Sequence, residues 1–149
     1  MTDPDPSMDD ILDPRIEQAI RDSFARQGLM RTLAARIDTI SPGRVTLSLP
    51  IGSAVSQQHG FAHAGASFAL GDSAAGYAAL TLMAPESEVL TVEMKINLIA
   101  PAAGLRLIAT GEVMKPGRRL SVVRATLHAE DEDGNRRETA LLQGTMIPA

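Results

Sequence analysis

The chain has no cysteine, so disulfide bridges and thiolate metal sites are excluded. It also lacks an excess of basic charge, since 14 Lys and Arg against 18 Asp and Glu give a net charge of −4. A nucleic-acid-binding protein would need a basic face. The first ten residues, MTDPDPSMDD, contain no apolar run of the kind that a secretory signal requires. We therefore expect a cytoplasmic protein that does not bind nucleic acid.

The composition is that of one globular domain. With 149 residues, 44% of them hydrophobic and 21% charged, the chain is long enough to bury a proper core. Residues 1–12 are rich in Asp and Pro, which predicts a disordered tail. We expect a single domain over residues 13–149.

The most informative stretch runs from Gly65 to Met83, where Asp72 is the only charged residue. A helix that is apolar on every face must be buried on every face, so this one is predicted to be the axis of the domain. Its length would suit a membrane span, but a central Asp would cost about 3 kcal/mol there. We reject that reading, also because alternating segments typical of strands follow. A lone carboxylate in such a helix is costly and is the first candidate for chemistry.

The remaining patterns predict an α+β fold with one antiparallel sheet curled round this helix. Asp13-Pro14 is typical of a helix start, and that helix should run to about Gln27 and stop at Gly28. Extended segments are predicted on both sides of the long helix, the last four as a meander: Leu33–Ile40, Arg44–Leu49, Val89–Ile99, Leu105–Met114, Arg119–Ala129 and Arg137–Ile147. The apolar even positions from Leu90 to Leu98 are expected to face the core.

Two runs of sequence carry a family resemblance. Residues 57–76, QQHGFAHAGASFALGDSAAG, resemble the signature of hotdog-fold acyl-CoA thioesterases, above all the phenylacetate-degradation (PaaI-like) group. That signature is His-Gly-Gly at the start of the central helix, with an Asp nine residues after the His. Residues 90–101, LTVEMKINLIAP, resemble the first long strand of the group, and the similarity extends over about residues 30–147. It implies the hotdog fold, a curved antiparallel sheet wrapped round one long buried helix.

The resemblance also implies roles for single residues. Asp72 matches the catalytic acid, and the backbone N–H of Ala64 matches the group that polarises the thioester carbonyl. His63 matches the histidine that heads the motif, and Gln57 lies where related hydroxybenzoyl-CoA thioesterases have a glutamine near the thioester.

The sequence departs from the family pattern at two positions. Ala64 replaces the usual first glycine, so the backbone there must adopt a negative φ. Gly76 stands where relatives carry a threonine, so a hydroxyl that would position water is missing, and Ser73 is the residue able to compensate.

Elementary chemistry allows both a functional and a structural role for these groups. Burial should raise the pKa of Asp72 and improve it as a general base or nucleophile. Alternatively, Asp72 is a structural acid bonded to backbone or to Ser73. The amides of Ala64 and Gly65 at a helix start favour an oxyanion, unless a capping side chain or water satisfies them. His63 is expected to orient this turn by hydrogen bonding.

Three further residues are candidates for contacts with coenzyme A or the acyl group. Arg118 and Arg119 could hold coenzyme A phosphates at a hairpin, or lie in a solvated turn. Asn97 could line the acyl or pantetheine channel, or cover the outer sheet. The histidine spacing does not suit a metal site, so we expect no metal and no cofactor beyond the coenzyme A of the substrate.

One chain is not expected to form the site alone. Eight helical residues separate Ala64 from Asp72 by about 12 Å, whereas both must act on one thioester. A twofold dimer can place the helix start of one chain beside the middle of the other helix. The resemblance implies the same arrangement, as a homodimer or as a dimer of dimers, a homotetramer.

The preferred function is therefore an acyl-CoA thioesterase. One alternative is a hotdog hydratase or dehydratase acting on enoyl or hydroxyacyl thioesters, which would rely on a His with an acid and a proline-rich approach to the helix. Residues 52–63 contain no proline. The other alternative is a non-catalytic acyl-CoA-binding protein, which would have no need of Asp72.

Overall fold

A computed structural model describes residues 11–149 of the chain. Three α-helices and six strands follow in the order α1 (Pro14–Arg26), α2 (Gly28–Thr32), β1 (Arg36–Ser41), β2 (Arg44–Pro50), α3 (Ala64–Leu80), β3 (Val89–Leu98), β4 (Arg106–Lys115), β5 (Ser121–Glu130) and β6 (Arg136–Pro148). The strands form one antiparallel sheet in the order β1-β2-β4-β5-β6-β3, with α3 packed against it. This is the α+β hotdog architecture that was predicted. No helix within residues 11–149 is long and apolar enough to cross a membrane.

The first helix begins as the sequence predicts and is followed by an unexpected one. The Asp13 side chain accepts a hydrogen bond from the backbone N–H of Arg15 at 2.8 Å, and Pro14 occupies the first turn. The helix was expected to run to about Gln27 and stop at Gly28, and it ends at Arg26 with Gln27 as its C-cap. Gln27 adopts an extended conformation, and Gly28 starts the short helix α2. The first strand consequently begins at Arg36 and not at Leu33. The predicted disordered tail lies outside the described residues except for residues 11 and 12.

Small residues allow α3 to approach the sheet closely. A Cβ added at Gly111 of β4 would lie 2.3 Å from the backbone of Ala74 in the helix. A Cβ at Gly71 would lie 2.9 Å from the Leu142 side chain. Helix and sheet therefore meet nearly backbone to backbone, which is why α3 tolerates the low helix propensity of its glycines.

The prediction that α3 is buried on every face is wrong for its first half. Ala64, Gly65 and Phe68 are exposed, with Phe68 at 37%, and Asp72 is only half-buried. Positions 64, 68 and 72 lie four residues apart and so share one face of the helix. We call this uncovered face the 64–68–72 stripe; the sheet of the same chain does not reach it.

The predicted meander of four strands is wrong at its first member. β3 pairs with β6 at the edge of the sheet and not with β4, whose other neighbour is β2. Local patterns predict strands but carry no information about partners that are distant in sequence. The pairing follows from α3, which carries the chain from β2 across the sheet to its far edge.

The apolar positions of β3 were expected to face the core, and for several of them this is wrong. Met94 and Ile96 pack against the core, but Leu90, Val92 and Leu98 are 57%, 57% and 56% exposed. The physical reason is twofold. The strand lies at an edge, and its register with β6 shifts between Thr91 and Glu93. Such a bulge exchanges the faces of the residues on its two sides.

Candidate active site

Asp72 lies on α3 in a small cavity of about 170 Å³. Its side chain is half-buried. Burial raises the pKa of the Asp72 carboxyl, because the charged form loses hydration, and a hydrogen bond from Thr91 opposes this rise. The carboxylate is therefore a stronger base than an exposed aspartate.

Thr91 is a site residue that the sequence reasoning missed. Its hydroxyl donates to Oδ1 of Asp72 at 2.7 Å and also lies 3.3 Å from the sulfur of Met146. The period-two pattern of the strand assigned Thr91 to the outer face. The bulge after Thr91 turns it towards α3 instead. Gly76 on the helix has no hydroxyl, whereas Thr91 on β3 places a hydroxyl beside Asp72.

The start of α3 is organised by His63. This residue is the N-cap of the helix, and its Nδ1 accepts the backbone N–H of Gly65 at 2.8 Å. The orienting hydrogen bond expected of His63 is therefore present, and it occupies the Gly65 amide. The next two amides of the turn, those of Ala66 and Ser67, donate to the carbonyl of His63.

The backbone amide of Ala64 differs from the other amides of this turn. Within residues 11–149 its N–H has no hydrogen-bond acceptor. In the described part of the chain, Ala34 is the one non-glycine residue with a positive φ. Ala64 therefore has a negative φ, as expected for an alanine in place of the usual glycine. The helix start consequently offers one free donor at its positive end.

A cleft of about 610 Å³ surrounds the helix start. It is lined by the loop before α3 and by the end of β3, including Gln57, His63, Ala64, Ser67 and Leu98. Gln57 sits in a tight turn, where its backbone N–H donates to the carbonyl of Phe61 at 2.8 Å and its Oε1 accepts the N–H of His59. The structure thus brings Gln57, His63 and Ala64 together.

Asp72 does not share that cleft. It lines the smaller cavity, eight residues further along α3 and about 12 Å away along the helix axis. Within one chain the carboxylate and the free amide cannot contact the same carbonyl group.

Ser23 of α1, Gln27 just after this helix and Tyr77 of α3 form a polar cluster that lines the Asp72 cavity, and the sequence reasoning missed it. Nε2 of Gln27 donates to the Tyr77 hydroxyl at 2.7 Å, and that hydroxyl lies 3.1 Å from the hydroxyl of Ser23. The Ser73 hydroxyl donates to Oε1 of Gln27 at 3.5 Å, so it turns away from Asp72. Gln27 and Tyr77 are 50 residues apart in sequence, and no local pattern relates them.

The other predicted contact residues lie outside both cavities. Asn97 lines a shallow groove beside Lys95 and Gln143, on the sheet face opposite α3. Arg118 and Arg119 are exposed in the loop between β4 and β5. Within one chain none of the three lies near Asp72 or Ala64.

Comparison with known proteins agrees with the fold. The family described as "Thioesterase superfamily" matches residues 59–134, about half of the chain. A crystal structure of a thioesterase family protein from Silicibacter pomeroyi is 51% identical, with a TM-score of 0.86 over 89% of this chain and 97% of that one.

Two further relatives extend the comparison. A 1,4-dihydroxy-2-naphthoyl-CoA hydrolase from Listeria monocytogenes is 27% identical over 105 residues, which are 70% of this chain and 85% of that protein. The PaaI protein from the phenylacetic acid degradation operon of E. coli is 19% identical and shares the fold, with a TM-score of 0.80 over 93% of this chain and 96% of that one. The chain therefore belongs to the thioesterase superfamily, as a thioester hydrolase with the hotdog fold.

Proposed function

We propose that the protein hydrolyses acyl-CoA thioesters at a site shared between two subunits. Asp72 of one subunit serves as general base or nucleophile, and the Ala64 amide of the other polarises the thioester carbonyl. One observation carries this proposal. The chain has a half-buried carboxylate of raised pKa and a free amide at the start of the same helix, and these two groups lie too far apart in one chain to act on one thioester.

The surroundings of Asp72 support its role in catalysis. Thr91 engages only Oδ1 of the carboxylate, so Oδ2 has no partner among residues 11–149 and remains free for water or substrate. An aspartate whose pKa is raised by burial is a stronger base and is suited to accept a proton.

Two uncovered surfaces support a second subunit. One is the 64–68–72 stripe, which connects the free amide to the carboxylate along one helix face. The other is the edge strand β3, whose outer side pairs with no strand of residues 11–149 and which exposes Leu90, Val92 and Leu98. Edges of this kind are normally paired or covered. A second copy related by a twofold axis would cover both at once and would bring each helix start towards the other Asp72.

The proposed chemistry follows from these positions. As a general base, Asp72 takes a proton from a water whose oxygen bonds to the thioester carbon. As a nucleophile, its own oxygen forms that bond, and water hydrolyses the resulting anhydride. In both routes the Ala64 N–H and the helix dipole stabilise the negative charge on the former carbonyl oxygen. Breakage of the C–S bond then gives the free acid in the first route and the anhydride in the second. The coenzyme A thiolate takes up the proton held by Asp72 in the first route, and in the second the proton released when water hydrolyses the anhydride and regenerates the Asp72 carboxylate.

The nucleotide end of the substrate is assigned to Arg118 and Arg119. Guanidinium groups bind phosphate in a bidentate manner, and both side chains are exposed in the loop between β4 and β5. We also propose a cytoplasmic location for the protein.

The double change Arg118→Ala and Arg119→Ala tests that assignment. We expect KM for acyl-CoA to rise more than kcat falls, because contacts remote from the reacting carbon bind ground and transition states alike. An acyl thioester of N-acetylcysteamine, which lacks the nucleotide, should be hydrolysed as by the wild type. Equal losses on both substrates would place the phosphates elsewhere.

Asp72→Asn tests the central residue. Release of free thiol from a panel of acyl-CoAs should fall by about 10²–10⁴-fold. The fold should survive this change. Because the pKa of Asp72 is raised in the folded state, the charged carboxylate lowers the free energy of unfolding at pH values above that pKa, and asparagine carries no charge. Tm near neutral pH should accordingly be equal to or higher than that of the wild type.

The matched control is Asp22→Asn, an exposed aspartate on α1 whose side chain accepts a hydrogen bond from Gln18. It should leave the activity unchanged. Wild-type turnover by Asp72→Asn on the best substrate of the panel would remove Asp72 from the mechanism.

A further inference from the structure

The first turn of α3 contains a buried polar side chain that packing does not explain. Ser67 is 2% exposed, and within residues 11–149 its hydroxyl has no hydrogen-bond partner. The carbonyl of His63, one turn back, accepts backbone amides and not this hydroxyl, although serines inside helices often make that bond. A buried hydroxyl without a partner destabilises a fold, so a residue with a purely structural role would be apolar here.

The Ser67 hydroxyl faces the cleft at the helix start. Ser67 lines this cleft together with Ala64. Within residues 11–149, no side-chain oxygen or nitrogen is both fully enclosed and without a partner. Because the Ser67 oxygen has no partner, it must reach the surface of the cleft. Its hydrogen is therefore free to donate to a ligand there.

Helix geometry brings this hydroxyl towards the Ala64 amide. Residues three apart are neighbours on a helix surface, with Cβ atoms about 5–6 Å apart. Helical side chains lean towards the N-terminus, so Ser67 leans towards the turn that Ala64 begins. An oxygen that accepts two hydrogen bonds of about 2.9 Å spans donors up to about 5 Å apart. One oxygen in the cleft can therefore contact both groups.

The other donors of this turn are already occupied. Nδ1 of His63 accepts the Gly65 amide, and the His63 carbonyl accepts the amides of Ala66 and Ser67. A carbonyl oxygen that gains negative charge has lone pairs for at least two donors, and the Ala64 amide supplies one. In the first turn of α3, the Ser67 hydroxyl is the donor that remains for the second.

We propose that Ser67 is a catalytic residue that donates a second hydrogen bond to the thioester carbonyl oxygen, beside the Ala64 amide. This inference rests on the proposed function, since it concerns the carbonyl held at the helix start. When water or Asp72 bonds to the carbonyl carbon, the π electrons of the C=O bond move onto the oxygen, and both hydrogen bonds strengthen. Ser67 keeps its own proton throughout.

Ser67→Ala tests the proposal by kinetics. With the best acyl-CoA of the panel, we expect kcat to fall about 10²-fold and KM to change little, because the bond is stronger in the transition state than in the bound substrate. Ser67→Thr keeps a hydroxyl and should retain most of the activity. The matched control is Ser48→Ala, a buried serine of β2 that lines neither cavity and should leave kcat unchanged.

Infrared spectra of the bound substrate measure the hydrogen bonds themselves. Asp72→Asn is used as the background, so that an acyl-CoA labelled with carbon-13 at its carbonyl is not turned over. Hydrogen bonds polarise the C=O bond and lower its stretching frequency. Adding Ser67→Ala to Asp72→Asn should therefore raise the frequency, whereas adding Ser48→Ala should not change it.

The outcomes distinguish this inference from the proposed function. Wild-type kcat in Ser67→Ala overturns the role of Ser67 and leaves the shared site standing. A lowered kcat with an unchanged carbonyl frequency also overturns it, because the loss then reflects damage to the structure and not a lost bond to the carbonyl. A wild type that hydrolyses no acyl-CoA of the panel overturns both.

Discussion

Opposing effects set the protonation of Asp72. Loss of hydration raises the pKa of its carboxyl, and the Thr91 hydroxyl lowers it by donating to the charged form. Since burial has the larger effect, the carboxyl titrates above its ordinary range. The rate should therefore rise with pH as Asp72 loses its proton.

Thr91→Val isolates the smaller of the two effects. Removal of the donor should move the acid limb of the kcat/KM profile to higher pH, because the carboxylate loses a group that favours its charged form. We also expect a fall in kcat of about tenfold, since Oδ1 is no longer held in place. The pH profile with the best acyl-CoA measures both.

Thr145→Val is the matched control. The Thr145 hydroxyl donates to Glu93 at 2.7 Å, the same pairing of threonine with carboxylate, but on the outer face of the sheet. Its profile should coincide with that of the wild type. An acid limb that stays in place, or moves to lower pH, in Thr91→Val would contradict the account of Asp72.

Sequence reasoning found residues that stand out locally and missed those defined by distant contacts. Asp72 was recognised as the only charge in an apolar helix, and His63 by its position before that helix. Thr91 was missed because one bulge reverses the face that strand alternation assigns to it. Ser23 and Gln27 were missed because their partner Tyr77 is about fifty residues away.

At the scale of elements, local patterns predicted most helix and strand segments but not their partners. The six strands and the long helix were foreseen with small errors in their bounds. The position of β3 beside β6 was not, because pairing depends on where α3 delivers the chain. The exposure of Leu90, Val92 and Leu98 follows from that edge position together with the bulge after Thr91.

Gly111→Ala tests the close packing of α3 on β4. The new Cβ would lie 2.3 Å from the backbone of Ala74, so helix and strand must separate. We expect a loss of about 1–3 kcal/mol in the free energy of unfolding, and a Tm lower by about 2–4 °C for each kcal/mol.

Gly52→Ala provides the comparison, because a Cβ at Gly52 meets no atom within 4 Å and the backbone there is extended. Its Tm should stay within a degree or two of the wild type, as is usual for surface changes of small effect. Equal stability of Gly111→Ala and the wild type would show that α3 does not touch β4 at this point.

At the scale of the whole molecule, the site proposed for one thioester is divided between two clefts of one chain. The free Ala64 amide lines the larger cleft and Asp72 the smaller one. Eight helical residues keep them about 12 Å apart along the axis. The uncovered 64–68–72 stripe and the exposed edge of β3 lie on the surfaces that a second copy would cover. Twofold pairing would cover both surfaces, and the proposed chemistry requires it.

Subunit mixing tests this claim most directly. Asp72→Asn removes the carboxylate, and Ala64→Pro removes the amide. Proline fits at Ala64, because this is the first position of the helix and His63 before it has φ −62° and ψ 142°. Each variant alone should be folded, dimeric and inactive.

The two variants are then allowed to exchange subunits, and formation of mixed dimers is verified with two different affinity tags. A mixed dimer contains one intact site, with Asp72 from the Ala64→Pro chain and the Ala64 amide from the Asp72→Asn chain. Since half of the dimers are mixed and each has one good site of two, we predict recovery of about a quarter of the wild-type activity. Verified mixed dimers that remain as inactive as their parents would contradict the shared site. Asp72 and the Ala64 amide of the same subunit would then have to act on one thioester.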